Sequence, residues 1–221
     1  MSAMTADGKG RVPGLGGVVL CGGQSRRMGR PKAWLDFGGE PLLSRVVGRL
    51  AEVAWPIVVV AAPGQEVPAL AEEVLIVRDG VEGQGPLRGI AAGLEALAPR
   101  AARAYVSATD APFLAPAFVR RLAKLQEGVD IAVPRSEGHH HPLAAIYACS
   151  VRAEAVALLA DDRRRPFFLF ERVRTRIVAP EELLADAALV AADPTLQSLR
   201  NLNTPEEYRA ALVDAVSQAS S

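Results

Sequence analysis

This sequence predicts an α/β protein with a mostly parallel sheet covered by helices on both faces, and three observations carry that prediction. Short runs rich in Val and Ile recur along the chain, each of a length that suits a buried strand. Between them lie longer stretches whose apolar residues return every three or four positions, the spacing of one helix face. A glycine cluster follows the first run and an aspartate follows the fourth, both at positions a parallel sheet places on its carboxyl rim. Strands alternating with helices build right-handed βαβ crossovers and a three-layer sandwich.

The first run, 16–21, reads as a buried strand that passes at once into a Gly-rich loop ending at Pro31. Over 41–54 the residues Leu42, Leu43, Val46, Val47 and Leu50 fall at helical spacing, with Pro41 at a favoured helix start. Strands follow at 57–61 and 74–77. Gly85-Pro86 opens a helix that puts Ile90, Leu94 and Leu97 on one face. The stretch 104–108 is a fourth strand, 116–126 a helix and 130–133 a fifth strand. Beyond these the pattern is less regular: a strand at 143–148, helices at 152–160 and 166–172, a short strand at 173–178 and a last helix at 204–216. Thr204-Pro205-Glu206-Glu207 is a strong start for that helix, with a hydroxyl cap, a proline and two acids in the first turn. The Ala-rich stretch 185–192 receives no function.

A chain of 221 residues can bury a large core as one compact unit. Half of its residues are hydrophobic and 23% charged, which excludes wholesale disorder. Lys+Arg and Asp+Glu number 25 each, so the basic excess of a broad nucleic-acid surface is absent. No apolar run approaches the roughly 20 residues of a membrane span. The two cysteines, Cys21 and Cys149, are too few for a disulfide framework and point to a reducing compartment. The polar residues 1–14 read as a flexible lead, 217–221 as a flexible tail, and the whole as a cytoplasmic protein.

The densest chemical signal is Leu20-Cys21-Gly22-Gly23-Gln24-Ser25-Arg26-Arg27-Met28-Gly29-Arg30-Pro31-Lys32. Glycines and a serine after a strand offer backbone N–H groups to an anion, and three arginines and a lysine supply the countercharge a triphosphate needs. The stretch matches neither the Walker pattern nor G-x-G-x-x-G, which excludes kinase-like and dinucleotide-binding readings. Asp110 projects beyond a buried strand and suits a metal bridging phosphate oxygens. Asp79 also follows a strand but precedes Gly80, so a local turn role is equally open. Gly85-Pro86-Leu87-Arg88-Gly89 reads either as a plain helix start or as a close backbone approach to a ligand. Adjacent residues in a loop rarely turn three imidazoles to one ion, so His139-His140-His141 is not read as a zinc site. Arg163-Arg164-Arg165 reads as a solvated face or as a lure for an anionic ligand.

With these residues in view, the sequence resembles the nucleotidyltransferases of the molybdenum cofactor guanylyltransferase type. The match lies in Leu-x-Gly-Gly-x-Ser-x-Arg-Met-Gly-x-x-Lys, then Arg78-Asp79, Gly85-Pro86-Leu87, Asp110-x-Pro112-Phe113, His141-Pro142 and Asn201-Leu202-Asn203-Thr204-Pro205. It runs from about residue 18 to 208. The first loop is shared by many nucleotidyltransferases, whereas His-Pro and the closing Asn-Leu-Asn-Thr-Pro are narrower. The resemblance implies a Rossmann-like nucleotidyltransferase sheet in one domain, 15–216, with a nucleotide-binding half at about 15–135 and an acceptor-binding half at about 136–216. It implies transfer of GMP from GTP to molybdopterin with Mg²⁺ as cofactor. Lys32, Arg27 and Asp110 would be catalytic, and Asp110 would hold the metal. Leu20, Cys21, Gly22, Gly23, Lys32, Asp79, Gly85 and Asp110 would bind nucleotide, and His141 and Asn203 the acceptor. Cys21 stands where the family often has Ala and is read as a small buried residue, not a nucleophile. It further implies a monomer that hands its product to molybdoenzymes or their chaperones, with no nucleic-acid or membrane partner.

One departure stands out. Some guanylyltransferases carry an Asn that touches the nucleotide where this second strand ends in Ala61-Ala62-Pro63. A cytidylyltransferase or sugar-phosphate nucleotidyltransferase on the same scaffold, or a non-catalytic nucleotide-binding regulator, therefore remain the alternatives.

Overall fold

A computed structural model of the chain describes residues 10–22, 31–80 and 85–219. Among the described residues there are eight strands: β1 (Leu15–Leu20), β2 (Ile57–Ala61), β3 (Leu75–Arg78), β4 (Arg103–Ala108), β5 (Ile131–Ser136), β6 (His139–His140), β7 (Ala144–Ala148) and β8 (Thr175–Val178). The α-helices are α1 (Leu42–Ala51), α2 (Pro86–Leu97), α3 (Pro116–Leu125), α4 (Arg152–Ala160), α5 (Pro166–Phe170), α6 (Pro180–Leu184), α7 (Ala187–Ala192) and α8 (Pro205–Ala219). The sheet runs β3-β2-β1-β4-β7-β5-β6, with β8 also pairing β5. Strands β1, β2, β3 and β4 are mutually parallel, and β8 is parallel to β5. β7 is reversed against both β4 and β5, so the sheet is mixed with parallel pairs in the majority.

Strand alternation sends side chains to two cores, giving the expected three layers. Leu15 and Val19 of β1 join Leu43, Val46 and Leu50 of α1 and Phe118, Val119 and Leu122 of α3 on one face. Val18 and Leu20 point the other way, onto Leu87, Ile90, Leu94 and Leu97 of α2, with Ala155 and Leu158 of α4 beyond. A third, small core of Leu35, Phe37, Leu42, Leu202 and Ala211 fastens α8 to the segment after Lys32. The Ala-rich stretch contains the short helix α7, whose Leu189 is buried.

The ends differ from the sequence expectation. From Gly10 the chain is held: Val12 N donates to Val53 O (2.8 Å), and Arg120 donates to Gly10 O. α8 runs on to Ala219, past the end expected at 216. No helix among the described residues is long and apolar enough to cross a membrane.

α2 lies close to β1 because Gly93 and Gly89 face Val18 and Leu20 without side chains. A Cβ on Gly93 would run into Val18 Cγ1, with Cγ2 at 2.9 Å, and Val18 is a fully buried β-branched residue with little rotamer freedom. On an exposed helix, Gly→Ala adds about 1 kcal/mol of stability. Here overpacking of about 1–3 kcal/mol outweighs it. Gly93→Ala is therefore expected to lower the urea midpoint; a raised midpoint would mean that α2 shifts away from the sheet at little cost.

Candidate active site

The carboxyl ends of β1, β2, β3 and β4 form one rim, held by hydrogen bonds between successive loops. Leu20 stands opposite Ala108, so the chains leaving β1 and β4 start side by side. Thr109 donates to Leu20 O through both its N–H (3.2 Å) and its Oγ1 (3.0 Å). Cys21 N donates to Val60 O (2.8 Å) and Asp79 N to Ala61 O (3.1 Å). The Gln65 amide clamps two loops together, its Nε2 donating to Cys21 O (2.9 Å) and its Oε1 accepting from Ala62 N (3.0 Å). Arg78 donates to the carbonyls of Ala62 (3.2 Å) and Gln65 (2.5 Å). The sequence does not mark Gln65, because a lone polar residue in a loop carries no periodic or motif signal.

At the centre of the rim, Lys32 Nζ lies 2.5 Å from Asp110 Oδ2 and 3.2 Å from Asn203 Oδ1. The Lys32 and Asp110 side chains are only 21% and 13% exposed, so this ion pair is less screened than a surface pair. Lys32 sits in a short 3₁₀ turn, Lys32–Trp34, whose Trp34 Nε1 donates to Glu66 O (3.2 Å). Asp110 is fixed through its backbone neighbours. Its carbonyl accepts from Leu202 N (2.9 Å), Arg45 donates to Pro112 O (3.0 Å), and Phe113 meets Phe37 edge-on at 5.7 Å under the Arg200 guanidinium. Asn203 is fixed by a capping box at α8: Glu207 Oε2 accepts from Asn203 N and Thr204 N, while Thr204 Oγ1 accepts from Glu207 N.

The other expected residues divide. Gly23 and Arg27 lie outside the described residues. Gly22 adjoins Ala62, and among the described residues a Cβ there would meet nothing closer than Ala62 N at 3.7 Å. Asp79 stands at the end of β3 on the same rim. Gly85 has φ 77°, and a Cβ there would press on Arg164 O at 3.1 Å. That contact brings the 163–165 run to the start of α2, where Arg88 occupies the first turn; Arg164 itself pairs with Asp162 (2.6 Å). Because β7 is reversed, Ala144 pairs with Ser107 and carries His141 to this rim too. The three histidines take separate partners: His139 Nδ1 bonds Glu137 O, the His140 ring packs on Phe167 and Phe170, and His141 Nε2 shares a 2.7 Å hydrogen bond with Ser136 Oγ. Cys21 is buried and burial pushes its thiol up, which suits a packing role.

Asp110 Oδ1 is buried and has no hydrogen-bond partner among the described residues. A buried carboxylate oxygen left unpartnered is costly, and it is a hard donor suited to a divalent cation. No group of three or more His, Cys, Asp or Glu among the described residues could hold a metal alone. A cation here would thus rest on one carboxylate and share its other positions with phosphate oxygens and water, as Mg²⁺ commonly does.

Residues 17–176 match the family model of the MobA-like NTP transferase domain. The chain is 37% identical over 200 residues to a probable molybdenum cofactor guanylyltransferase of Pelotomaculum thermopropionicum, covering 90% of this chain and 92% of that one. It is also 37% identical over 202 residues to the probable molybdenum cofactor guanylyltransferase of Mycobacterium avium, covering 89% and 94%. Among solved structures it is similar to molybdopterin-guanine dinucleotide biosynthesis protein A from Archaeoglobus fulgidus. That match has a TM-score of 0.72 and 25% identity over 91% of this chain and 98% of the other.

Burial, reinforced by the charge on His139, holds His141 below the ordinary imidazole value of 6.5, and burial with Arg135 does the same to His140. The unfolded chain then binds more protons than the folded one below about pH 6.5, so stability is full above that point and falls as the pH drops. Urea unfolding at about pH 7.5 and about pH 5.5 is expected to show this loss, and His141→Gln to reduce it. Equal losses in both proteins would assign the dependence to other groups.

Proposed function

The chain belongs to the MobA-like NTP transferase family, and on that premise we propose that it moves GMP from Mg²⁺-GTP to molybdenum-bound molybdopterin. The products are molybdopterin guanine dinucleotide and pyrophosphate. The observation that carries the reading is the Lys32–Asp110 pair at the sheet's carboxyl rim, with the second Asp110 oxygen buried and unpartnered among the described residues. A cation for phosphates and a carboxylate for a metal are the two charges that nucleotidyl transfer requires.

In the reaction a bond forms between an acceptor phosphate oxygen and the α-phosphorus of GTP, and the bond from the α-phosphorus to the bridging oxygen breaks. A phosphate acceptor is already ionised near neutral pH, so no general base has to remove a proton. Lys32 and Arg27 hold the triphosphate, and the backbone at Leu20, Cys21, Gly22 and Gly23 cradles the nucleotide. Asp79 contacts the nucleoside, and Gly85 borders it at the start of α2. Asp110 would hold Mg²⁺, which when bound supplies Lewis-acid polarisation of the phosphates. His141 faces the acceptor side. The 163–165 run, anchored at Gly85, adds positive potential for an anionic acceptor. Ala61 is buried, so selection of the base falls to other groups on the rim. Two free, buried cysteines accord with a cytoplasmic setting.

Thermal unfolding with Mg²⁺ and GTP, CTP, ATP or UTP in turn tests the nucleotide. A ligand at about a hundred times its dissociation constant adds about 2.7 kcal/mol, and GTP alone is expected to do so. A response to CTP alone would make this a cytidylyltransferase; no response to any nucleotide would remove the reading. Separately, Asp110→Asn is expected to cost at least about a hundredfold in nucleotidyl transfer, the scale of losing one preorganised charge at a reacting phosphate. Unimpaired transfer would overturn the metal assignment.

A further inference from the structure

Lys32 reaches the site on a four-carbon stem whose ammonium has three donors, and two of them are directed at Asp110 Oδ2 (2.5 Å) and Asn203 Oδ1 (3.2 Å). These two acceptors differ in kind. Asp110 is the group that fits a divalent cation, so a metal at its Oδ1 shares the charge of the carboxylate whose Oδ2 holds Lys32, and repels the ammonium. The Asn203 amide oxygen is neutral and keeps its acceptor capacity when the metal and triphosphate arrive. Its own position is independent of Lys32. Glu207 Oε2 accepts from Asn203 N (2.6 Å) and Thr204 N (3.1 Å), and Leu202 N is tied to Asp110 O (2.9 Å). Leu202 is fully buried beside Leu35, which follows the Lys32 turn.

From this geometry, and resting on the nucleotidyltransferase reading, we propose that Asn203 is a positioning residue that keeps the Lys32 ammonium at the triphosphate when the metal takes Asp110. Asn203 therefore acts on the nucleotide, through Lys32, rather than on the acceptor. The final helix thereby reaches back into the nucleotide half. Asn203 is exposed and its backbone cap comes from Glu207, so removing its amide leaves the fold's hydrogen bonds in place.

The test is a double-mutant cycle on GTP affinity, measured by calorimetry with Mg²⁺ and no acceptor. Asn203→Ala is expected to weaken GTP binding about tenfold, the scale of one hydrogen bond to a charged group. In a Lys32→Ala background the same substitution is expected to change affinity less than about twofold, because the group it acts through is gone. Asn203→Ser, too short to bridge to Nζ, repeats the measurement and separates the effect from a folding defect of one variant. A loss of equal size in the Lys32→Ala background would overturn the proposal, since a purely structural role survives deletion of Lys32. Unchanged GTP affinity with weaker use of molybdopterin would also overturn it and make Asn203 an acceptor residue. A wild-type protein without affinity for GTP would remove the nucleotide reading itself, and this inference with it.

Discussion

The pairing of β1 with β4, in register from Leu15 with Arg103 to Leu20 with Ala108, is the constraint on which the site depends. These strands are separated by three connections and two further strands in the chain, yet their carboxyl ends emerge as neighbours. The first delivers the Gly-rich loop and the second delivers Asp110. Thr109 locks that adjacency by donating twice to Leu20 O, so the two segments cannot slide apart without losing a buried pair of hydrogen bonds. α2 supports the same place from below, its glycines letting it approach Val18 and Leu20 closely.

On this base, three distant pieces of chain converge. Lys32 is 78 residues from Asp110 and 171 from Asn203 in sequence. Bringing them together requires ordering three loops, and the small core of Leu35, Phe37, Leu42, Leu202 and Ala211 supplies apolar burial against that entropy. A buried hydrogen-bonded network reinforces it: Asp193 accepts from Gln197 N, Ser198 N and Ser198 Oγ, and Ser198 Oγ accepts from Ala115 N. Ser198 and Asp193 are nearly inaccessible, so each must be satisfied internally, which holds the segment leading to Asn203 in one conformation.

Among the described residues, β7 is the longer of the two strands that break the parallel pattern. β7 turns back between β4 and β5, and the residues just before it, His141 to Leu143, arrive at the rim where parallel strands end. The β5–β6 hairpin adds His140 against Phe167 and Phe170 of α5, and Gly85 receives the Arg164 carbonyl. The residues before and after β4 thus belong to one body: the sheet is continuous through β4, β7 and β5.

Much of this was written locally. The Val- and Ile-rich runs of β1, β2 and β4 and the helical stripes of α1, α2 and α3 sort into strand and helix by periodicity alone, because burial on a sheet face or helix stripe demands it. Thr204, Pro205 and Glu207 likewise announce the start of α8, since capping involves only near neighbours. The residue types in the first loop, and Asp110 after a buried strand, name the chemistry. Strand direction was not legible, because a buried apolar strand reads the same in either sense; only the partners of β7 decide that it runs backwards. Nor could spacing show that Gln65 ties Cys21 to Ala62, or that Lys32 meets Asp110 and Asn203. Those contacts join segments whose separation in sequence carries no period, and they exist only once the β1–β4 register and the α8 clasp set the distances.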